Sequence, residues 1–116
     1  GHAVGDEVLK AVATCISKEK RNEDVLARFG GEEFVLLLDH CNITEAQVKA
    51  EKLRKAIEDL QPSGLLITVS IGASQLNPNE NFFEEALKRA DDALYNAKNS
   101  GRNTVVTCHK NLNVKS

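Results

Sequence analysis

Apolar positions recur along this chain at two periods, and the changes of period mark its elements. Val8, Leu9, Val12, Ala13 and Ile16 fall at helical spacing over residues 6–17, where Asp6 can cap the free amides of the first turn. A charged connector covers residues 18–24. Val25–Phe29 and residues 34–38 then read as two strands around Gly30-Gly31-Glu32-Glu33, whose paired glycines predict a hairpin. The run Val35-Leu36-Leu37-Leu38 does not alternate, so it is expected to be covered on both faces, in the middle of a layered sandwich. Thr44-Glu45-Ala46-Gln47 matches a capping box, with Ile43 and Val48 spaced for a hydrophobic staple. Ala46, Ala50, Leu53, Ile57 and Leu60 continue that helix until Pro62 and Gly64 stop it. Residues 65–73, rich in β-branched side chains, predict a strand. Asn81 can cap a third helix whose core face is Ala86, Leu87, Ala90, Leu94 and Ala97, and Gly101 stands where a C-cap glycine belongs. Residues 104–107 close the fold as a short strand, and the polar residues 109–116 form a tail. The order is αββαβαβ, an α/β sandwich with the hairpin turn at one end of its sheet.

Composition narrows the function classes. At 116 residues, 41% hydrophobic and 28% charged, the chain has the make-up of one globular domain. A net charge of -2 argues against a general binder of nucleic acid or of membrane surfaces, so an anionic ligand needs a local site. No run approaches the ~18 apolar residues of a membrane span, and no signal-peptide pattern opens the chain, which makes the cytoplasm the expected compartment. Cys15, Cys41 and Cys108 form no CxxC and read as packing residues rather than zinc ligands or a disulfide framework. With 4% aromatic residues there is no row of base-stacking platforms.

The segment richest in chemistry is Arg28-Phe29-Gly30-Gly31-Glu32-Glu33-Phe34. Glycines at a tight turn let a ligand approach the backbone. Adjacent strand residues point to opposite faces, so Glu32 and Glu33 are expected to play different parts. A turn carboxylate can bind Mg²⁺, but one alone makes a poor site. The local chemistry leaves open a hairpin merely tipped with solubilising glutamates.

The motif Gly30-Gly31-Glu32-Glu33-Phe34 resembles the signature of the GGDEF family of diguanylate cyclases, in its GGEEF form. Gly1-His2-Ala3-Val4-Gly5-Asp6 is similar to that family's GHxxGD, residues 90–103 to its ADxALYxAKxxGRN, and Val69-Ser70-Ile71-Gly72 to one of its strands. The resemblance implies a nucleotidyl-cyclase-like, ferredoxin-like fold with a central antiparallel sheet flanked by helices. It makes residues 1–108 a partial GGDEF domain and residues 109–116 a C-terminal tail. It further implies condensation of two GTP molecules to cyclic di-GMP across a homodimer, with Mg²⁺ or in its place Mn²⁺. Glu32 matches the position of a metal ligand and candidate general base, while Gly30, Gly31 and Glu33 shape the nucleotide pocket. His2 and Asp6 match substrate contacts; an aspartate accepting from the guanine N1–H and amino group rejects adenine. The alternative for Asp6 is a plain N-cap. Lys98 and Arg102, spaced i, i+4 near a helix end, can grip a triphosphate or merely complement the helix dipole. Arg21 and Asp24 match an inhibitory site that binds the guanines of the product, against the alternative of a solvated loop.

The family's preceding strand carries a DxDxFK-like segment, and neither it nor the asparagine that follows has a counterpart in this sequence. The expectation is therefore a domain truncated at its N-terminus, inactive as a 116-residue piece, from a competent cyclase with an upstream sensory or regulatory domain. That parent is cytoplasmic or anchored through the upstream domain. The rival reading is a non-catalytic module that binds cyclic di-GMP or GTP and regulates a partner domain.

Overall fold

The computed structural model describes residues 2–29, 33–38, 41–77 and 83–108, with the backbone alone at residues 2–4, 28 and 29. The elements are α1 (His2–Glu19), β1 (Val25–Phe29), β2 (Glu33–Leu37), α2 (Ile43–Leu60), a single 3-10 turn (Pro62–Gly64), β3 (Ile71–Ser74), α3 (Phe83–Asn99) and β4 (Val105–Cys108). Their order is the αββαβαβ read from the sequence, with the Pro62 turn added after α2. No helix among the described residues is long and apolar enough to cross a membrane.

The first half is built around one apolar cluster. Val12 and Ile16 of α1 and Ile57 of α2 are buried, and Leu26, Phe34, Leu36, Leu53, Ile67 and Val69 pack against them. β1 and β2 pair antiparallel in the register Val25↔Leu37 through Phe29↔Glu33, which confirms the hairpin; its turn, residues 30–32, lies outside the described residues. The alternation of the pleat sends Leu26, Phe34 and Leu36 to the core. Val25 and Leu37 remain 55% and 45% exposed, so the hairpin is not covered on both faces as the unbroken apolar run suggested. Among the described residues the hairpin ladders only with itself, and a continuous apolar run reports burial only where a neighbour covers each face.

Helix boundaries depart from the reading in two places. α1 begins at His2, so Asp6 lies in its second turn, exposed, and is not an N-cap. Gly5 inside the helix costs about 1 kcal/mol, too little to stop it. At α2 the capping box is Asn42 with Glu45, not Thr44 with Gln47: the Asn42 side chain accepts from the Glu45 amide at 2.8 Å, and Glu45 accepts from the Asn42 amide at 3.0 Å. Asn caps at least as well as Thr and starts the helix two residues sooner. Val48 is 67% exposed and forms no staple.

The second half is a parallel β–α–β unit. β3 and β4 pair in parallel, Ile71↔Val105 through Ser74↔Cys108, with α3 as their connection. Among the described residues the strands ladder as one antiparallel pair and one parallel pair, within the α/β sandwich expected from the sequence. Among the described residues the strand expected over residues 65–73 is laddered only from Ile71, because the parallel register sets residues 65–70 beside the turn that precedes β4; Leu66 stands 69% exposed. α3 sits on β3 through small residues. Ala86, Ala93 and Ala97 are its buried stripe, while Leu87, Ala90 and Leu94 of the expected face are half-buried, and the predicted cap Asn81 lies outside the described residues. A side chain on Gly72 would run into the Ala90 carbonyl and the Leu94 backbone, and the Ser74 hydroxyl donates to the Ala86 carbonyl. Contact this close requires glycine at position 72.

Gly72→Ala is expected to destabilise the fold by about 3 kcal/mol, the upper range for overpacking a tight contact. Chemical denaturation measures this, and an unchanged midpoint would mean that α3 does not rest on Gly72.

Candidate functional site

Helical spacing places Asp6, Leu9, Lys10 and Ala13 on one side of α1, where with Phe34 of β2 they line a groove of about 280 Å³. Leu9, Ala13 and Phe34 are half-buried and form apolar walls; Asp6 and Lys10 are exposed at the rim. Glu33, next to Phe34 and at the hairpin turn, is exposed. An apolar groove with a carboxylate and an ammonium at its rim can take a heterocyclic base, whose ring meets the apolar walls while its N–H edge meets an acceptor. Asp6 was readable as a candidate from sequence. The walls were not, because Leu9 and Ala13 fit the core stripe equally well; their spacing from Asp6 at i+3 and i+7 was the available signal. A larger hollow of about 330 Å³, on a different face of α1 against Leu60, holds none of the candidate residues.

Arg21 and Asp24 are brought together, and more tightly than a solvated loop would hold them. Asp24 Oδ2 accepts from the Arg21 backbone amide at 3.0 Å and from its Nε at 3.3 Å, and Oδ1 accepts from Nη2 at 3.1 Å. The Asp24 amide donates to the Arg21 carbonyl at 3.1 Å, closing the turn, and Lys20 Nζ donates to the Asp24 carbonyl at 3.0 Å. Asp24 is buried to 3% exposure. This hydrogen-bonded pairing raises the affinity of the Arg21 guanidinium for its proton. A ligand of both side chains must first open this pair.

Lys98 and Arg102 are exposed near the end of α3, and among the described residues neither has an ion pair. Their sequence spacing is not a helical one. The helix ends at Asn99, Gly101 takes φ 113°, and the Arg102 amide donates to the Ala97 carbonyl at 3.1 Å, a Schellman-type closure. Lys98 keeps its place in the last turn; Arg102 lies beyond it with φ 63°, followed by Asn103 at φ 47°.

Asn103 is tied to α2 by residues that sequence reasoning passed over. Its Oδ1 accepts from Arg54 Nη1 at 2.8 Å, its Nδ2 donates to Glu58 Oε2 at 3.0 Å, and Arg54 Nη1 donates to Glu58 Oε1 at 3.3 Å. Glu51 accepts from Arg54 Nε at 3.0 Å. The Asn103 amide, then Arg54, hold the Glu58 carboxyl below the ordinary carboxylate range, and Arg54 does the same to Glu51.

Gly30, Gly31 and Glu32 lie outside the described residues, and His2 is the first residue of α1. Among the described residues no group of three or more His, Cys, Asp or Glu is placed to hold a metal ion. Glu33 alone does not make an octahedral oxygen site, so the described residues do not by themselves fit Mg²⁺.

Comparison with known proteins gives the chain's relatives. The family model for the diguanylate cyclase GGDEF domain matches residues 1–104. Diguanylate cyclase A of Treponema denticola is 40% identical over 97% of this chain, which spans 31% of that protein's length. The structure of the active GGEEF domain of a diguanylate cyclase from Vibrio cholerae superposes with TM-score 0.88 at 29% identity, covering 96% of this chain and 72% of that one. The GGDEF domain of DgcB from Caulobacter crescentus, solved in complex with c-di-GMP, gives TM-score 0.83 at 30% identity, covering 93% and 67%.

The depressed Glu58 carboxyl makes a pH prediction. A carboxyl whose folded pKa lies below its unfolded value of about 4.3 adds stability above that value and loses it as pH falls through the folded one. The stability advantage of wild type over Glu58→Gln, measured by urea titration, is expected at pH 7 and should shrink below about pH 4. A constant difference down to pH 3 would contradict the assignment.

Proposed function

The chain belongs to the GGDEF domain family, and from that premise we propose that it is the nucleotide-handling domain of a diguanylate cyclase that condenses two GTP molecules to cyclic di-GMP. The observation that carries the proposal is the groove of Asp6, Leu9, Ala13 and Phe34 beside the hairpin that bears the Gly30-Gly31-Glu32-Glu33 signature. Guanine slides between Leu9, Ala13 and Phe34, and the Asp6 carboxylate accepts from its N1–H and amino group. Adenine offers neither donor there, so the carboxylate would be desolvated without a partner. Lys98 and Arg102 neutralise the triphosphate by charge-assisted hydrogen bonds. His2, Gly30, Gly31 and Glu33 complete the contacts to substrate.

In the reaction, the 3′-hydroxyl oxygen of one GTP attacks the α-phosphorus of the other, the new P–O bond forms, and the bond to pyrophosphate breaks. Glu32 accepts the hydroxyl proton. A carboxylate with pKa about 4.3 is a weak base, so the transfer takes place within the transition state and most of the acceleration comes from alignment and charge neutralisation. Repetition of the step with the roles exchanged closes the ring and releases a second pyrophosphate. Each copy of the chain binds one GTP, which makes the working unit a homodimer. Mg²⁺, or Mn²⁺ in its place, is the cofactor the family resemblance implies, with Glu32 as its candidate ligand.

Product regulates the enzyme at Arg21 and Asp24. A guanine of cyclic di-GMP takes up the Arg21 fork and the Asp24 oxygens, exchanging their mutual hydrogen bonds for bonds to ligand. That the similar DgcB domain was solved in complex with c-di-GMP supports binding of the product by this domain, without assigning the residues.

The test is release of pyrophosphate and cyclic di-GMP from GTP by the intact protein with Mg²⁺. Turnover is expected, with a loss of about 100-fold or more in Glu32→Ala. Binding of GTP or cyclic di-GMP without pyrophosphate release would favour a non-catalytic regulatory module.

A further inference from the structure

Two successive residues other than glycine, Arg102 and Asn103, hold positive φ. Asn adopts that backbone more readily than other side chains with a Cβ, but Arg disfavours it, and the turn is held from both flanks. Asn103 spends both ends of its amide on α2, accepting from Arg54 and donating to Glu58, and the Arg54–Glu58 hydrogen bond closes the triangle. Glu51 fixes Arg54 from its other side, and the Arg54 side chain is only 14% exposed. On the opposite flank, the Arg102 amide is bound to the Ala97 carbonyl.

Arg102 is thus pinned on both sides through its backbone, while its guanidinium stays exposed and makes no ion pair among the described residues. We propose that Arg54, Glu58 and Asn103 are positioning residues that preorganise Arg102 to grip the nucleotide triphosphate. This rests on the reading of Arg102 as a phosphate ligand. Preorganisation matters because a mobile turn would lose backbone freedom on binding, whereas a held turn has already lost it and leaves only the Arg102 side chain to be ordered.

The test is a calorimetric titration of the intact protein with GTP and with inorganic triphosphate as a probe of the phosphate contacts alone. Asn103→Gly is the informative variant, since glycine keeps the left-handed backbone but removes the amide clamp. Arg54→Met breaks the same clamp from α2. Arg102→Ala is expected to weaken binding about tenfold and Asn103→Gly about fivefold, as for loss of a charge-assisted contact and of its coupling. The double variant should be no weaker than Arg102→Ala alone, and Asn103→Gly should remain folded at the titration temperature, its melting temperature lowered by a few degrees for the lost hydrogen bonds. A purely structural role would not produce that non-additivity. Loss in Arg102→Ala with wild-type affinity in Asn103→Gly and Arg54→Met, or additive losses, would overturn the clamp and leave the phosphate assignment standing. Wild-type affinity in Arg102→Ala would overturn both.

Discussion

The close seating of α3 on β3 is the constraint on which the second half of the molecule depends. Gly72 admits the Ala90 and Leu94 backbone where any side chain would block it, and Ala86, Ala93 and Ala97 keep the facing surface shallow. That approach brings β4 alongside β3 and fixes where α3 ends, and so where the Gly101 turn starts. The exposed Lys98 and Arg102 inherit their positions from a helix–sheet contact made of atoms no larger than a methyl group.

α2 connects this unit to the rest. Ile57 enters the cluster formed with Val12 and Ile16 of α1, the helix that also presents Asp6, Leu9 and Ala13 to the groove. Arg54 and Glu58, a turn and less away, reach Asn103 beside Arg102. One helix therefore anchors both the wall proposed for the base and the turn proposed for the phosphates. Loosening α2 should disturb both ends of a bound nucleotide together, whereas a change at Arg21 and Asp24, folded onto each other ahead of the hairpin, should leave either end in place.

Much of this was legible in the sequence where the signal is local. The order of elements, the hairpin around Gly30-Gly31, and the C-terminal glycine of α3 follow from periodicity and turn chemistry. Local rules misplaced the start of α1 and the cap of α2 by a few residues, since several residues near each end satisfy them. They failed outright where pairing decides. Among the described residues the β-branched run before Ile71 has no ladder, and the apolar run of β2 lacks a covering neighbour on one face. At the site, Asp6, Lys98 and Arg102 could be named from motif similarity, but the Arg54–Glu58–Asn103 triangle joins positions more than forty residues apart and leaves no local trace. Glu32, the residue proposed to accept the proton, is outside the described residues.

The most direct test of a nucleotide held at both ends is an amide NMR titration of the protein with a non-hydrolysable GTP analogue. Shifts should concentrate in two places, the stretch of α1 around Asp6, Leu9 and Ala13 with Phe34, and the turn from Lys98 to Asn103. Shifts confined to the Arg21–Asp24 turn, or to one of the two ends, would contradict the account.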